Sequence, residues 1–409
     1  MGAPLPLREP SPFRLGTRPA LDGIRGIGIA MVLLFHSLTY MIDWYGPYGD
    51  RVLRGANSAV DVFFMLSGFL ITVLLLEEHE RHGRVSFKRF YMRRVLRLFP
   101  VLYATLALFA LYLLVVRPDG ASGFVGAAVK IATWTANFFI GHDLFLTQWF
   151  GQTWSLAIEE QFYVVWPITL VLLLRVPARR RGALIVGLLV VLTVAFGLWR
   201  SVLFSRTELW SAVYYRTDAR FDQLLVGCLL GAALHFGYVR ERARPWMAVF
   251  GLGLWLLIAQ TVSPFDALYY HLGAPLTNLA AVALTLGVLT GDGPVVRLLA
   301  WRPLRWLGRM SYALYIVHVP VYFAVVTATA GREGVTVARL VGANVLTFAL
   351  VLLLHRLVEA PALRLKRRWA PGGPPAVAAH DPADPGPEAG AAAAADPDRP
   401  TVTGEAPPR

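Results

Sequence analysis

Long apolar runs recur along this 409-residue chain, and they constrain its fold more than any other feature. A helix needs about 20 predominantly apolar residues to cross the hydrocarbon core of a bilayer. In that core every backbone polar group must be paired internally, which a single segment achieves only as a helix. We identify such runs at 20–42, 58–76, 98–116, 154–174, 182–204, 220–238, 246–262, 272–291, 310–330 and 337–357. The sequence therefore predicts an all-α integral membrane protein with ten transmembrane helices.

Basic residues predict the orientation of these spans. Clusters of arginine and lysine precede the first span and follow the second, fourth, sixth, eighth and tenth spans. Because cytoplasmic loops carry an excess of Lys and Arg, this alternation predicts that both termini are cytoplasmic. The further apolar segment 126–141 is short and contains Lys130 and Asn137. If it crossed the membrane, the basic cluster at 175–181 would face outward, so we predict a short re-entrant or interfacial helix there.

Composition indicates the remaining organisation and the partners. Hydrophobic residues make up 56% of the chain and charged residues 16%, as is typical of multi-pass membrane proteins. The net charge of +13 is explained by inside-positive loops and anionic lipids, so the lipid bilayer rather than nucleic acid is the expected partner. We predict a cytoplasmic N-terminal segment over 1–19, a membrane domain over 20–361 and a disordered cytoplasmic tail over 371–409. The expected location is the inner or plasma membrane.

The sequence offers no motif for metal or nucleotide chemistry. Its single cysteine, Cys228, lies in an apolar run, and no Cys/His array or His-Glu-x-x-His motif occurs. A phosphate-binding P-loop is absent from the sequence as well. The Gly26-Ile-Gly28 pattern has no strand before it, which argues against a dinucleotide-binding turn. We therefore expect neither a metal nor a bound cofactor.

An arginine and a histidine share one face of the first span. Arg25 and His36 are separated by close to three helical turns, so their side chains point the same way. An ionisable residue inside a membrane helix is costly and is by default a functional-site hypothesis. Histidine also titrates near neutral pH and can give or take a proton. We predict that Arg25 and His36 are catalytic.

Two carboxylates lie near the outer ends of other spans. Glu159 in the fourth span and Asp61 in the second enter from the outer face, at a depth close to that of His36. Ser155 and Tyr163 lie one turn either side of Glu159 and share its face. We predict Glu159 as the acid that orients the His36 imidazole, and Asp61 as a further catalytic residue. The alternative is an interfacial helix end with its carboxylates at the lipid headgroups.

The densest basic cluster follows the second span. Arg93, Arg94 and Arg97 have spacings of three and four residues, which would let them clamp a phosphate-rich ligand together. Simple anchoring at the cytoplasmic surface explains the same cluster. Further polar residues inside the spans are additional site candidates: Arg220, Asp222, Tyr315 and His318. For His318 a structural role is equally open.

Taken in order along one chain, these motifs resemble the acyltransferase-3 family of integral membrane acyltransferases, which includes bacterial polysaccharide O-acetylases. The resemblance runs from about Arg18 to Pro361. Each motif alone is weak, whereas the full ordered set is specific. The motifs are Arg25 with His36, Asp61-Val-Phe-Phe-Met-Leu-Ser-Gly-Phe, Arg93-Arg94-x-x-Arg97-x-x-Pro100, Trp154-Ser-Leu-Ala-Ile-Glu159, Ser311-Tyr-x-Leu-Tyr-x-x-His318 and Glu359-x-Pro361.

The resemblance implies transfer of an acyl group, often acetyl from acetyl-CoA, to a hydroxyl of a cell-envelope sugar or polysaccharide. It implies that Arg25 and His36 are the functional pair and that the arginine-rich motif binds the thioester donor on the cytoplasmic side. Acyl-CoA is then a co-substrate, and a carbohydrate or glycosylated molecule is the acceptor. Some members append an extracytoplasmic hydrolase-like domain. We expect the membrane domain here to complete the transfer itself or to hand over to a separate protein.

Alternatives to this function stay open from the sequence. The acceptor could instead be a secondary metabolite such as a macrolide sugar. In a different class, ten helices studded with polar residues would equally suit a multi-span transporter, which needs no acyl-CoA. Within the enzyme class, the residues leave open both direct transfer and a transient acyl-histidine.

Overall fold

Helices account for the regular structure in the described part of the protein. A computed structural model describes residues 13–41, 54–240, 244–289, 291–332, 334 and 336–369. The predicted N-terminal segment is therefore described only from residue 13, and the predicted tail over 371–409 lies outside the described residues. The α-helices are α1 (Pro19–Met41), α2 (Ser58–His82), α3 (Phe87–Val116), α4 (Phe124–Ala132), α5 (Leu144–Phe150), α6 (Thr153–Leu173), α7 (Ala178–Thr207), α8 (Trp210–Tyr214), α9 (Phe221–His235), α10 (Pro245–Thr261), α11 (Ala274–Leu289), α12 (Pro294–Leu299), α13 (Arg302–Ala328), α14 (Thr336–Leu354) and α15 (Ala360–Trp369).

Within the described ranges, 8 helical segments are long and apolar enough to cross a bilayer. Six are α1, α2, α3, α6, α7 and α13. The other two are α11 with the π-helical turn before it, and α14 with the π-helical turn and the start of α15 after it. Helices α9 and α10 are shorter, with 15 and 17 residues, and coincide with the predicted sixth and seventh spans. The prediction of an all-α integral membrane protein is confirmed. The count of ten crossings and the cytoplasmic termini stay predictions.

Helices α1 and α13 pack side by side and run parallel. Near their beginnings Arg25 Nη2 donates a hydrogen bond to Ser311 Oγ at 3.0 Å. Further along both helices, Ser37 Oγ donates to the Tyr322 hydroxyl at 2.9 Å. Parallel packing requires an odd number of crossings between the two helices, and the seven spans predicted between the first and the ninth satisfy this. This pair carries most of the polar residues of the candidate site.

The close approach of α1 to α13 depends on Gly26, where a Cβ would lie 2.1 Å from the carbonyl oxygen of Leu304. Small residues allow membrane helices to approach this closely. We expect Gly26→Leu to separate the helices and to reduce unfolding free energy by about 3 kcal/mol, measured as a lower thermal midpoint in detergent. Gly187→Leu is the matched control, because a Cβ there meets no atom within 4 Å. Equal midpoints for the two variants would contradict the close packing.

The segment between α3 and α6 starts and ends on the same side of the helix bundle. α3 and α6 are antiparallel neighbours, because Arg94 contacts Glu160 at 2.6 Å whereas the earlier Tyr91 contacts the carbonyl of the later Tyr163 at 3.3 Å. Between them, α4 has only 9 residues, too few to cross a bilayer. The packing therefore favours a helix that does not cross at 126–141.

Candidate active site

A cavity of about 80 Å³ opens among α1, α2, α6 and α13. Its polar lining includes Arg25, Ser67, Glu159 and Ser311. The Arg25 guanidinium uses Nη2 for its bond to Ser311, while its buried Nε has no hydrogen-bond partner among the described residues. The guanidinium therefore lines the cavity with one of its N–H donors unused by the described residues.

The adjacent carboxylates Glu159 and Glu160 face different partners, as positions about 100° apart on a helix must. Glu159 accepts hydrogen bonds from the hydroxyls of Ser67 and Tyr163, the second at 3.3 Å. Glu160 forms an ion pair with Arg94 at 2.6 Å, and the Arg94 guanidinium lies 3.1 Å from the Tyr163 ring centroid. Glu159 is thus the carboxylate that lines the cavity, and Glu160 is neutralised beside it.

Two histidines meet where α1 and α13 are in contact. His36 Nδ1 lies 3.1 Å from His318 Nε2, and His318 Nδ1 lies 3.0 Å from the Leu314 carbonyl oxygen. Because a carbonyl only accepts, His318 carries its proton on Nδ1 and, when neutral, presents a lone pair at Nε2. His36 must then donate from Nδ1, which leaves its own Nε2 unprotonated. His318 is fully buried, whereas His36 is partly exposed.

Tyr315 connects the cavity with the histidine pair. It lines the cavity, its hydroxyl lies 2.7 Å from Ser155 Oγ, and its ring centroid lies 5.8 Å from that of His318. The structure thus joins the predicted residues Ser155, Tyr315 and His318 in a chain of contacts, and His318 is the member that contacts His36. The two ends of this polar route, Arg25 and His36, are about 16 Å apart along α1.

The structure does not bring Glu159 to His36. Glu159 shares the cavity with Ser311, whereas His36 contacts His318, which lies about two turns further along α13. The depth comparison from sequence fails because Glu159 contacts Ser67, which lies near the middle of α2, and not a residue beside His36. A catalytic role for Glu159 stays a prediction. The side chain that contacts the His36 imidazole is that of His318.

Asp61 lies in a separate, fully buried polar cluster. Its carboxylate accepts hydrogen bonds from Arg220 at 3.1 Å and from the Tyr269 hydroxyl at 2.7 Å. Close by, Asp222 pairs with Arg200 at 2.5 Å. The predicted residues Asp61, Arg220 and Asp222 therefore come together with one another, not with the cavity or the histidines. Sequence reasoning missed Arg200 and Tyr269, although an arginine inside an apolar run was a usable signal for the first.

The three predicted donor-binding arginines diverge in the structure. Arg93 is paired with Glu78 at 3.1 Å, and Arg94 is held by the carboxylate on α6 described above. Consecutive helix positions point about 100° apart, so these two side chains meet different helices. Arg97 forms no ion pair with any described residue, remains exposed, and has Arg25 and Arg94 among its electrostatic neighbours. Of the predicted clamp, Arg97 alone is left free to meet a ligand.

The sequence that forms this site matches a known protein family. A family model described as an acyltransferase domain matches residues 18–356. The chain belongs to this acyltransferase family. The matched region contains every helix that lines the cavity or holds the histidine pair, so the resemblance inferred from the motifs is confirmed. This acyltransferase is a multi-pass protein of the cell membrane.

Relatives of this acyltransferase have more specific names. The peptidoglycan O-acetyltransferase OatA of Listeria monocytogenes is 28% identical over 317 residues, covering 74% of the chain and 49% of the relative. YrhL of Bacillus subtilis is 31% identical over 322 residues, with 74% and 48% covered. The O-acetyltransferase OatA of Staphylococcus aureus is 26% identical over 316 residues, with 74% and 50% covered. The acyltransferase spans about half the length of these relatives, and no solved structure matches it significantly.

Proposed function

We propose that this acyltransferase moves an acetyl group from acyl-CoA to a hydroxyl of a cell-envelope polysaccharide. The family and the O-acetyltransferase names of two relatives support this activity, and the Listeria relative makes peptidoglycan the first acceptor to test. The observation that carries the proposal is the hydrogen bond between His36 and His318, which leaves an unprotonated ring nitrogen on a partly exposed histidine.

In this proposal His36 is the general base. Its Nε2 takes the proton of the acceptor hydroxyl while the acceptor oxygen bonds to the thioester carbonyl carbon. The carbon–sulfur bond then breaks, and the proton passes to the departing CoA thiolate. His318 holds the imidazole in the required tautomer and orientation, so little reorganisation is needed during the reaction. A transient acyl-histidine would use the same nitrogen as its nucleophile.

Two arginines serve the donor at the predicted cytoplasmic end of the route. Arg97 is exposed and unpaired among the described residues, which suits the phosphates of CoA. Arg25 lies inside the cavity, where its guanidinium can bind an oxygen of the donor at a point away from the carbonyl carbon that reacts beside His36. The CoA arm that carries the acyl group extends along α1, so that the intact thioester reaches His36.

This arrangement predicts unequal roles for the arginines. We expect Arg97→Gln to raise KM for acyl-CoA by about tenfold or more, because one charge-assisted contact with phosphate is lost. Arg84→Gln removes an equally exposed charge from the loop after α2 and is the matched control. Initial rates of CoA release over a range of acetyl-CoA concentrations give both constants. Equal KM values for the two variants would remove Arg97 from the donor site.

The function itself is tested with purified protein in proteoliposomes, labelled acetyl-CoA and isolated glycan strands. We expect CoA release that depends on the acceptor, together with label in base-labile ester on the glycan. A transporter would move a solute across the membrane without releasing CoA and without labelling the glycan. Absence of both CoA release and glycan label under all acceptors tried, with the protein folded, would contradict the proposal.

A further inference from the structure

A second cavity lies away from the candidate active site. It has a volume of about 410 Å³ and is formed where α9 ends, α10 begins and α11 ends. The helices that line the first cavity are α1, α2, α6 and α13, so the two cavities share no element. The positive-inside pattern places this second cavity on the predicted cytoplasmic side of the membrane.

The wall of this cavity has an apolar half and a cationic half. Leu234 and Leu289 are buried at its apolar side, which also includes Met247. Its other side presents the exposed guanidinium groups of Arg240 and Arg244. Neither arginine forms an ion pair or a side-chain hydrogen bond within the described ranges. Within the part of the chain that the structure describes, these two positive charges therefore have no acidic partner at the edge of the cavity.

The start of α10 adds to the attraction for anions. Arg244 immediately precedes Pro245, the first residue of this 17-residue helix, whose unpaired backbone N–H groups face the same end. Trp246 follows and is 61% exposed, as is usual for aromatic residues at the membrane–water interface. The two arginines, the helix end and Trp246 therefore lie together at the start of α10, the end that the basic residues predict to face the cytoplasmic headgroups.

We propose that this cavity binds an anionic phospholipid of the cytoplasmic leaflet through its phosphate. Arg240 and Arg244 pair with the phosphate oxygens, and the acyl chains lie along the leucine and methionine side chains. A free phosphate would make no contact with the apolar wall, and a lipid without net charge would leave the two arginines unneutralised. A lipid that carries both a phosphate charge and an acyl chain satisfies both halves.

The test measures lipid binding to the full-length protein in detergent. Phosphatidylglycerol is titrated while bound lipid is counted by native mass spectrometry and thermal stability is recorded. We expect Arg240→Gln/Arg244→Gln to weaken phosphatidylglycerol binding by about 30-fold. Arg179→Gln/Arg180→Gln removes the same charge from exposed positions at the start of α7 and is the matched control. Because activity is not the readout, the result is independent of the proposed function.

Titrations with other phosphate compounds and lipids identify which ligand the cavity binds. Phosphatidylcholine, inorganic phosphate and glycerol 3-phosphate are titrated in the same way, and only phosphatidylglycerol is expected to bind and stabilise. Equal phosphatidylglycerol binding by both double variants would overturn the proposal. Stabilisation by inorganic phosphate alone would replace it with a soluble phosphate site, and equal binding of phosphatidylcholine would show a nonspecific lipid contact. Single variants at Arg240 and Arg244 substitute for the double variant if that protein does not stay monodisperse.

Discussion

Replacing His36 with glutamine is expected to lower acyl transfer by about 10²–10⁴-fold, the usual contribution of a positioned general base. Glutamine keeps a polar side chain that can bond to His318, but it cannot accept and release a proton near neutral pH. The effect should fall on kcat, with KM for acyl-CoA unchanged, because the donor contacts lie at the other end of α1. His142→Gln, at an exposed loop position, is the matched control. Wild-type kcat in folded His36→Gln protein would refute the assignment.

His318 has a different expected role, that of a positioning residue. Its Nε2 accepts from His36 Nδ1 at 3.1 Å, and a glutamine amide oxygen can occupy about the same place. We therefore expect His318→Gln to retain much more activity than His318→Leu, which removes the acceptor and frees the His36 ring to take the wrong tautomer. A structural role alone would make the two variants lose activity in proportion to their stability. Equal kcat and equal pH–rate profiles for both would contradict positioning by His318.

Span positions were predictable from sequence because each depends on local hydropathy alone. The runs at 58–76 and 182–204 lie inside α2 and α7, since about 20 apolar residues fold as a helix wherever they are placed. The pairing of Arg25 and His36 on one face follows equally from helix periodicity. These properties need no information about which helices touch.

Contacts between spans were not predictable in the same way. His36 meets His318 because α1 packs on α13, a contact between residues far apart in the chain. Depth counted from the start of a helix placed Glu159 beside His36, but Glu159 contacts Ser67 near the middle of α2. Likewise Arg93 and Arg94 were grouped by spacing, whereas their acidic partners lie on α2 and α6. The positions of the Arg93 and Arg94 side chains are set by ion pairs with carboxylates on neighbouring helices.

The second large effect is expected at the buried pair of Asp61 and Arg220. Both side chains are almost fully buried, at 0% and 1% exposure, and the Arg220 Nε also donates to the Tyr214 carbonyl at 2.9 Å. Removing one partner leaves the other as an uncompensated buried charge. We therefore expect Arg220→Met to reduce the unfolding free energy by about 3–5 kcal/mol, measured as a lower thermal midpoint and a lower yield of monodisperse protein.

Asp61→Asn combined with Arg220→Met removes both charges and should recover part of that stability, because no buried charge remains unpaired. The exposed pair Arg216 and Asp218, 2.7 Å apart, is the matched control, and losing it should cost less than about 1 kcal/mol. Activity per folded molecule then separates the two roles of Asp61. If the double variant folds and transfers acetyl at the wild-type kcat, Asp61 is structural, and its predicted catalytic role is wrong. If it folds but is inactive, the pair of Asp61 and Arg220 contributes to the reaction, and Asp61→Asn alone, compared at equal folded fraction, assigns the effect to the carboxylate.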